Sequence, residues 1–508
     1  MSNNNLYARL AEHFPVDSAT VAIETLDGSY TYGDIDRATA CLANLLSSLG
    51  LPPGARVAAW VEKSPEALLL YLATLRAGLV YLPLNTAYRE AEIAYFVGDA
   101  TPAVIVCASG DLALVQRVCA ATGVAAQCYT LDDDRGGSLL VEAAALPQTF
   151  HTVPVDAHAL AAILYTSGTT GRSKGAMLSH GNLYANAATL KAYWQWQADD
   201  VLLHMLPIFH VHGLFVGANG ALLAGARMLW LPRLDIEQAL QWLPRATILM
   251  GVPTYYVRLL ADPRFTAELV AHMRLFISGS APLLAETFDQ FEARTGKVIL
   301  ERYGMSETNM LSSNPYDASQ GPRLGGTVGP ALPGVEIRIT DDADGVLPTG
   351  LIGHVQVRGP NVCSGYWQMP DKTQESFTDD GWFRTGDVGR FGGEGVPADY
   401  LTIVGRSKDL IITGGYNVYP KEVELELDTL PGVLESAVIG VPHPDFGEAV
   451  VAVVVPRDQG AVDVGALLAT LKSRLANYKV PKKIHVIEAL PRNTMGKVQK
   501  NILREQYT

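Results

Sequence analysis

The chain is 508 residues long, 48% hydrophobic and 18% charged, with a formal charge of -13. That length exceeds what one core supports, so two or more domains are expected. The acidic balance argues against a nucleic-acid binder, whose affinity comes from a basic face, yet it leaves room for a local cationic nucleotide site.

The five cysteines (Cys41, Cys107, Cys119, Cys128, Cys363) are odd in number and scattered, without a Cys-x-x-Cys pair. A disulfide framework and a thiolate zinc site are both disfavoured, and a reducing cytoplasm is the expected location. The start, Met1-Ser2-Asn3-Asn4-Asn5, is polar and does not read as a secretory leader. The most apolar long stretch, Leu214 to Leu231, is interrupted by Asn219 and Arg227 and rich in glycine, which suits a buried core segment better than a membrane span.

Residues 1 to about 150 alternate short apolar strands with helical patterns. Val21–Glu24 and Ser29–Tyr32 flank Asp27-Gly28, a hairpin signal. A helix is expected from Gly33-Asp34 toward Leu49, a strand at Arg56–Trp60, a helix from Ser64 and another strand within Gly78–Thr86. This alternation predicts an α/β layered domain, and these residues read as scaffold.

The apolar run Leu160–Leu164 suits a buried strand and leads into Tyr165-Thr166-Ser167-Gly168-Thr169-Thr170-Gly171-Arg172-Ser173-Lys174-Gly175. Glycine lets backbone amides converge on an anion because no Cβ blocks their approach. The hydroxyls of Thr166, Ser167, Thr169, Thr170 and Ser173 add donors, and Lys174 adds a positive charge. The stretch reads as a polyphosphate cradle; a flexible polar surface loop is the alternative. It is not the familiar P-loop, since only two residues separate Gly168 from Gly171.

Leu203-His204-Met205-Leu206-Pro207-Ile208-Phe209-His210-Val211-His212 carries three histidines. They raise a metal site, but no cysteine or acid lies near in sequence, and hydrogen-bonded core histidines are the competing reading. Arg258 follows Ile248–Thr254 among apolar neighbours at an expected helix start. Burying it would require an anion, so it either holds a substrate carboxylate or lies on a solvated helix face. Leu275–Leu283 is expected to run strand, turn, helix, and Val298–Thr308 to repeat that design. Within the latter, Tyr303 offers a face for a purine, Ser306 a donor for a phosphate and Glu307 a hard oxygen for Mg²⁺.

The last segment is basic: from Leu471 onward nine lysines and arginines face only Glu488 and Glu505. A basic segment on an acidic protein suggests an anionic partner, with a solvated helix face as the alternative.

The phosphate loop, Tyr303-Gly304-Met305-Ser306-Glu307, Phe383-Arg384-Thr385-Gly386-Asp387, Gly405-Arg406-Ser407-Lys408-Asp409 and Pro491–Val498 together resemble, in order, the motifs of the adenylate-forming enzymes. That superfamily contains acyl-CoA synthetases, firefly luciferases and peptide-synthetase adenylation domains. The resemblance spans essentially the whole chain. It implies a large layered α/β N-terminal domain over 1–405, a hinge at 406–409 centred on Lys408, and a small mobile α+β domain over 410–508. It implies ATP contacts from Thr166, Ser167, Gly168, Thr169, Thr170, Gly171, Lys174, Ser278, Gly279, Glu301, Tyr303, Gly304, Ser306, Asp387, Arg406 and Lys497. Asp387 and Arg406 would reach the ribose, and Lys497 would bridge the substrate carboxylate and the α-phosphate. Thr166, Glu307 and Lys497 would be catalytic, with Glu307 the Mg²⁺ ligand. His210, Arg258, Ser280, Gly304 and Met305 would line the acyl pocket, and Gly414, Gly415 and Tyr416 the coenzyme A channel. A lysine acetyltransferase acting on Lys497 is an expected partner, since acetylation removes the charge.

The segments around Leu82–Tyr88 and Glu301–Met310 look most like malonyl-CoA synthetases. Malonate, ATP and coenzyme A are therefore the expected substrates, with methylmalonate or another short-chain acid as alternatives. Bacterial members of that group typically carry an arginine on the helix after the segment matching Ser280-Ala281-Pro282, where this chain has Phe288-Asp289-Gln290. A luciferase-like monooxygenase would share every motif, and a nucleotide-binding sensor would bind ATP without chemistry. A peptide-synthetase module would be followed by a carrier domain, whereas this chain stops at Thr508.

Overall fold

The computed structural model describes residues 3–166, 173–413, 416–457, 462–493 and 496–508. The chain divides into two compact units, residues 1–336 with 358–383, and residues 337–357 with 384–508.

The first unit contains two sheets. One has six strands in the order Gln127–Thr130, Val104–Cys107, Arg56–Trp60, Val80–Pro83, Leu160–Thr166 and Lys174–Ser179, parallel until the last. The other has eight, from Asn309–Ser313 through Leu300–Met305, Leu275–Ser278, Ile248–Gly251, Val201–His204, Arg227–Trp230 and Val21–Glu24 to Ser29–Thr31. Both of its edge strands run antiparallel to their neighbours. Central strands such as Val201–His204 and Ile248–Gly251 are buried throughout, as strands covered on both faces must be. Open parallel sheets receive ligands beyond the carboxyl ends of their strands, where Thr166, His204, Gly251 and Ser278 lie.

Local signals account for the helices between them. Thr31 and Asp34 form a capping box at the start of Tyr32–Ser48, as Ser179 and Asn182 do for His180–Tyr193. Pro65–Arg76 starts with proline after the Ser64 cap and is buried along its whole length.

His180, 1% exposed, accepts a 3.0 Å hydrogen bond at Nδ1 from the Leu6 amide. Burial lowers its pKa to about 4. The folded value lies below the unfolded value of about 6.5, so the neutral ring stabilises the fold fully above that pH. As pH falls from about 6.5 toward 4 this contribution is lost, at roughly 1.4 kcal/mol per pH unit. Urea unfolding between pH 7 and 5 is expected to lose about that much of its pH slope in His180→Gln; an unchanged slope would assign the sensitivity to other groups.

Val298–Thr308 departs from expectation. Instead of strand, turn and helix, Leu300–Met305 turns back at Ser306–Thr308 into Asn309–Ser313, an antiparallel hairpin. Asn309 takes a positive φ of 50° at the reversal. The returning strand is then claimed by side chains from elsewhere: Asn186 and Asn361 both donate to the Met310 carbonyl, and Trp194 Nε1 donates to Ser313 Oγ.

The second unit holds a four-stranded sheet (Glu336–Thr340, Gly353–Arg358, Phe383–Gly393, Val396–Arg406) and a five-stranded one built on the long pair Val433–His443 and Gly447–Pro456. The division thus groups strands 383–393 and 396–406 with the C-terminal residues, whereas the sequence reading put the large domain's border at 405. Pro420–Asp428, Val464–Arg474 and Lys500–Tyr507 are its helices. No helix among the described residues is long and apolar enough to cross a membrane.

The basic tail meets anions of its own chain. Arg474 pairs with Glu426, Lys479 with Glu422, Arg492 with Glu435, Lys500 with Glu424 and Arg504 with Asp409. At least five of the nine cations are therefore paired with carboxylates among the described residues, and the local charge excess requires less from an outside partner than the linear count suggests. Glu424 is buried, which opposes its charge, but Lys500 at 2.6 Å, Lys421 and the Val438 amide outweigh that and hold its pKa below the ordinary value.

Candidate active site

Ser167, Gly168, Thr169, Thr170 and Gly171 of the phosphate loop lie outside the described residues, as do Gly414 and Gly415. The feet of the phosphate loop are described. Thr166 closes Leu160–Thr166 and pairs in register with Lys174, the first residue of the antiparallel strand. Tyr165 donates its phenol to Asp99, and Tyr95 donates to the Ser173 carbonyl at 2.6 Å.

Segment 363–367 runs beside the strand Lys174–Ser179: the Trp367 amide donates to Gly175 at 2.8 Å and the Met177 amide to Gly365 at 2.9 Å. This sets Tyr366, 4% exposed, between two assigned residues. Lys174 Nζ lies 4.4 Å from the centre of its ring, and its phenol donates to Glu307 Oε1 at 3.1 Å. Glu307 is 5% exposed. No sequence argument pointed to Tyr366; its preceding glycine was the only local cue.

The hairpin 300–313 carries Tyr303, Gly304, Met305 and Ser306, all half-buried. Gly304 is required there, because a Cβ would come within 2.7 Å of Met310 Cε and 2.8 Å of its Cα. Glu301, assigned to ATP, is buried and accepts from the Gly326 amide at 2.9 Å, so one of its oxygens braces the loop that follows.

The histidines diverge. His204 stacks on Trp230 at 4.5 Å, and its Nε2 lies 2.8 Å from the Gly213 carbonyl, a core role. His210 is half-buried and sits against Phe209. His212 opens a π-type helix, His212–Ala218, a widened turn that often marks a functional site. Its Nδ1 is 3.3 Å from Ser280 Oγ, and Ser280 holds a positive φ of 72°. Burial, then the positive charge of Arg302, lower the His212 pKa far enough to keep the ring neutral. Among the described residues no group of three or more His, Cys, Asp or Glu side chains is arranged to hold a metal.

Arg302 was not singled out in the sequence, and its setting is unusual. It is 3% exposed, and Nε and Nη2 find no hydrogen-bond partner among the described residues. Gly279 leaves it space, since a Cβ there would meet Arg302 Cζ at 2.5 Å. Burial lowers its pKa to about 9. A buried cation without a partner is expensive unless an anion arrives. Arg258, by contrast, is exposed in the last turn of Pro253–Ala261, where a cation suits the helix C-terminus. The burial argument that suggested it does not apply. Asp289 is exposed too, while its neighbour Phe288 is buried.

In the second unit Asp387, 3% exposed, pairs in register with Arg406 across two strands, and Arg406 Nε is 2.8 Å from Asp387 Oδ1. Both residues assigned to the ribose thus face one another on neighbouring strands. Lys408 is exposed in a short 3₁₀ turn. Tyr416 is 59% exposed and stacks on Tyr478 at 4.7 Å. Lys497 is exposed; its amide donates to Asn493 Oδ1 and its carbonyl accepts from the Asn493 amide, both at 2.9 Å.

The family profile for AMP-binding enzymes matches residues 8–367, and that for the AMP-binding enzyme C-terminal domain matches 422–497. ATP-bound MatB from Rhodopseudomonas palustris superposes with a TM-score of 0.96 at 54% identity, over 100% of this chain and 99% of that one. The mitochondrial malonate–CoA ligase of Mus musculus is 34% identical over 94% of this chain and 87% of its own length. A feruloyl-CoA synthase from Amycolatopsis sp is likewise 34% identical, over 94% of both chains. Two matched profiles and full-length likeness to CoA ligases agree with the motifs laid out above: the chain belongs to the AMP-binding enzymes, as an AMP-forming acid–CoA ligase.

Proposed function

We propose that the acid is malonate, and that the chain converts malonate, ATP and coenzyme A to malonyl-CoA, AMP and pyrophosphate. The observation that carries this reading is Arg302, a buried guanidinium with two unpartnered nitrogens beside His212 and below Gly279. A dicarboxylate reacts through one carboxylate and must park the other. A bidentate guanidinium in a dry site suits that second group. The mouse relative is named for malonate and supports the reading; the Amycolatopsis relative is named for a feruloyl group, which offers Arg302 no second carboxylate.

In the first half-reaction a malonate carboxylate oxygen bonds to the α-phosphorus of ATP, and the bond to the β-phosphate oxygen breaks to release pyrophosphate. In the second, the coenzyme A sulfur bonds to the acyl carbon, AMP leaves with the acyl oxygen, and the thiol proton goes to solvent. Bringing a carboxylate against a triphosphate sets like charges together, so stabilisation is largely electrostatic. Lys497 is the proposed charge at the α-phosphate, Lys174 and Thr166 serve the phosphates, Tyr303 the purine, and Asp387 with Arg406 the ribose. His210, Ser280 and Met305 are proposed to line the acyl pocket. Tyr416, with its exposed ring, is the proposed contact for the pantetheine arm, and Lys408 the proposed hinge.

Mg²⁺ belongs to this proposal. The Glu307 carboxylate supplies hard oxygen, as Mg²⁺ requires, and bound there the ion would offset phosphate charge. Methylmalonate keeps both carboxylates and is the alternative substrate.

Pyrophosphate release with malonate, methylmalonate, succinate, acetate, butyrate and benzoate tests the proposal. Malonate is expected to exceed butyrate by at least about 10²-fold in kcat/KM, since a buried site built for a charge rejects a ligand lacking it. A lead for butyrate or benzoate would overturn the substrate while leaving the ligase chemistry intact.

A further inference from the structure

Tyr366 is a buried phenol that touches both a cation and an anion assigned to the nucleotide, and it has no part in the chemistry above. Its backbone is fixed independently of either contact. The Tyr366 amide donates to Thr373 Oγ1 at 2.9 Å, and Tyr366 bridges Ala176 in antiparallel fashion. Three residues earlier, the Cys363 amide donates to the carbonyl of Glu307 itself at 2.7 Å. The segment is therefore pinned to the strand that begins with Lys174 and to the turn that carries Glu307. The backbone that carries the ring is thus held against both of them.

We propose that Tyr366 is a positioning residue for divalent-cation capture: its hydroxyl orients the Glu307 carboxylate, and its ring face seats the Lys174 ammonium at the phosphates. This rests on the reading that Glu307 and Lys174 serve ATP and its metal. A carboxylate offers about four lone-pair directions, and the phenol takes one of them, which restricts rotation of the group. Partners that orient a metal-binding carboxylate typically govern metal affinity by about 10- to 100-fold. The ring does a second job. A cation over a desolvated aromatic face is attracted to it, so Lys174 is held near the loop instead of sampling solvent.

Tyr366→Phe keeps the ring under Lys174 and deletes only the hydroxyl. Calorimetric titration of ATP into the full-length protein at graded Mg²⁺ reads the effect without turnover. The Mg²⁺ concentration giving half-maximal ATP binding is expected to rise about tenfold or more, while ATP affinity at saturating Mg²⁺ stays within about twofold. Tyr366→Leu removes the ring as well and is expected to weaken ATP binding further even at saturating Mg²⁺. A thermal melt of each variant separates these effects from loss of fold. An unchanged Mg²⁺ half-point in Tyr366→Phe would overturn the proposal, as would an equal loss of ATP affinity at every Mg²⁺ level. Glu307→Gln decides the underlying reading: if it leaves the Mg²⁺ dependence of ATP binding intact, the assignment of Glu307 fails; if it abolishes that dependence while Tyr366→Phe does not shift it, only the role of Tyr366 fails.

Discussion

Lys497→Ala is expected to slow adenylation, measured as acid-dependent exchange of pyrophosphate into ATP, by about 10³- to 10⁵-fold, the range seen when a cation at a transferring phosphoryl group is removed. Thioester formation from supplied malonyl-adenylate and coenzyme A is expected to fall by less than about tenfold, because that step attacks the acyl carbon and makes or breaks no bond to phosphorus. The structure gives the lysine a defined base. Asn493 holds both its amide and its carbonyl, the Gly496 amide donates to the Asn493 carbonyl at 2.9 Å, and Arg492 ties the Gly496 carbonyl to Glu435. Truncating Lys497 leaves those contacts in place, so the fold is expected to survive. Equal loss in both half-reactions would contradict a role confined to adenylation.

Arg302→Met carries the second large effect, and its sign on stability opposes its sign on activity. A buried charge pair deprived of one member typically loses about 3–5 kcal/mol, so kcat/KM for malonate is expected to fall by about 10²- to 10⁴-fold. Butyrate, which has no second carboxylate, should change little. The free protein, meanwhile, sheds a guanidinium with two unpartnered nitrogens that burial already disfavours. Its thermal midpoint is expected to stay or rise, since apolar groups of similar volume in place of buried charges are often stabilising. Arg258→Ala is the contrast: on an exposed final turn, its loss should affect malonate and butyrate alike and only slightly. If Arg302→Met lowered both substrates in parallel, the arginine would be structural and the assignment to malonate would lose its support.

These two residues also mark where sequence reasoning succeeds and where it stops. Lys497 stands in a glycine-containing motif near the chain end, and its proposed role comes from that motif alone. Arg258 sits between Val257 and Leu259 and Arg302 between Glu301 and Tyr303, and a linear string cannot say which of two arginines turns inward. One follows a helix to its solvated end; the other lies on a strand flanked by Leu275–Ser278 and by its own hairpin partner. The tail is a similar case. Its cations were plain in the sequence, but the carboxylates that pair with five of them lie between Asp409 and Glu435, brought near by the sheet and the helix Pro420–Asp428.

What the sequence determined by itself was the alternation of strand and helix in the first unit, the helix start at Ser64, and the ordered motifs that place the chain among the AMP-binding enzymes. Each of these depends on residues close together in the chain, where side-chain period and cap chemistry act directly. Tertiary structure decided the rest. Asn309–Ser313 is a short, wholly buried run that helix and strand patterns fit equally well, and only pairing with Leu300–Met305 made it a strand. Tyr366 gained its place between Lys174 and Glu307, and Arg302 its burial beside Gly279, from packing across long sequence separations. Burial and proximity are properties of the folded chain, and they single out a tyrosine and an arginine that the linear string leaves unremarked.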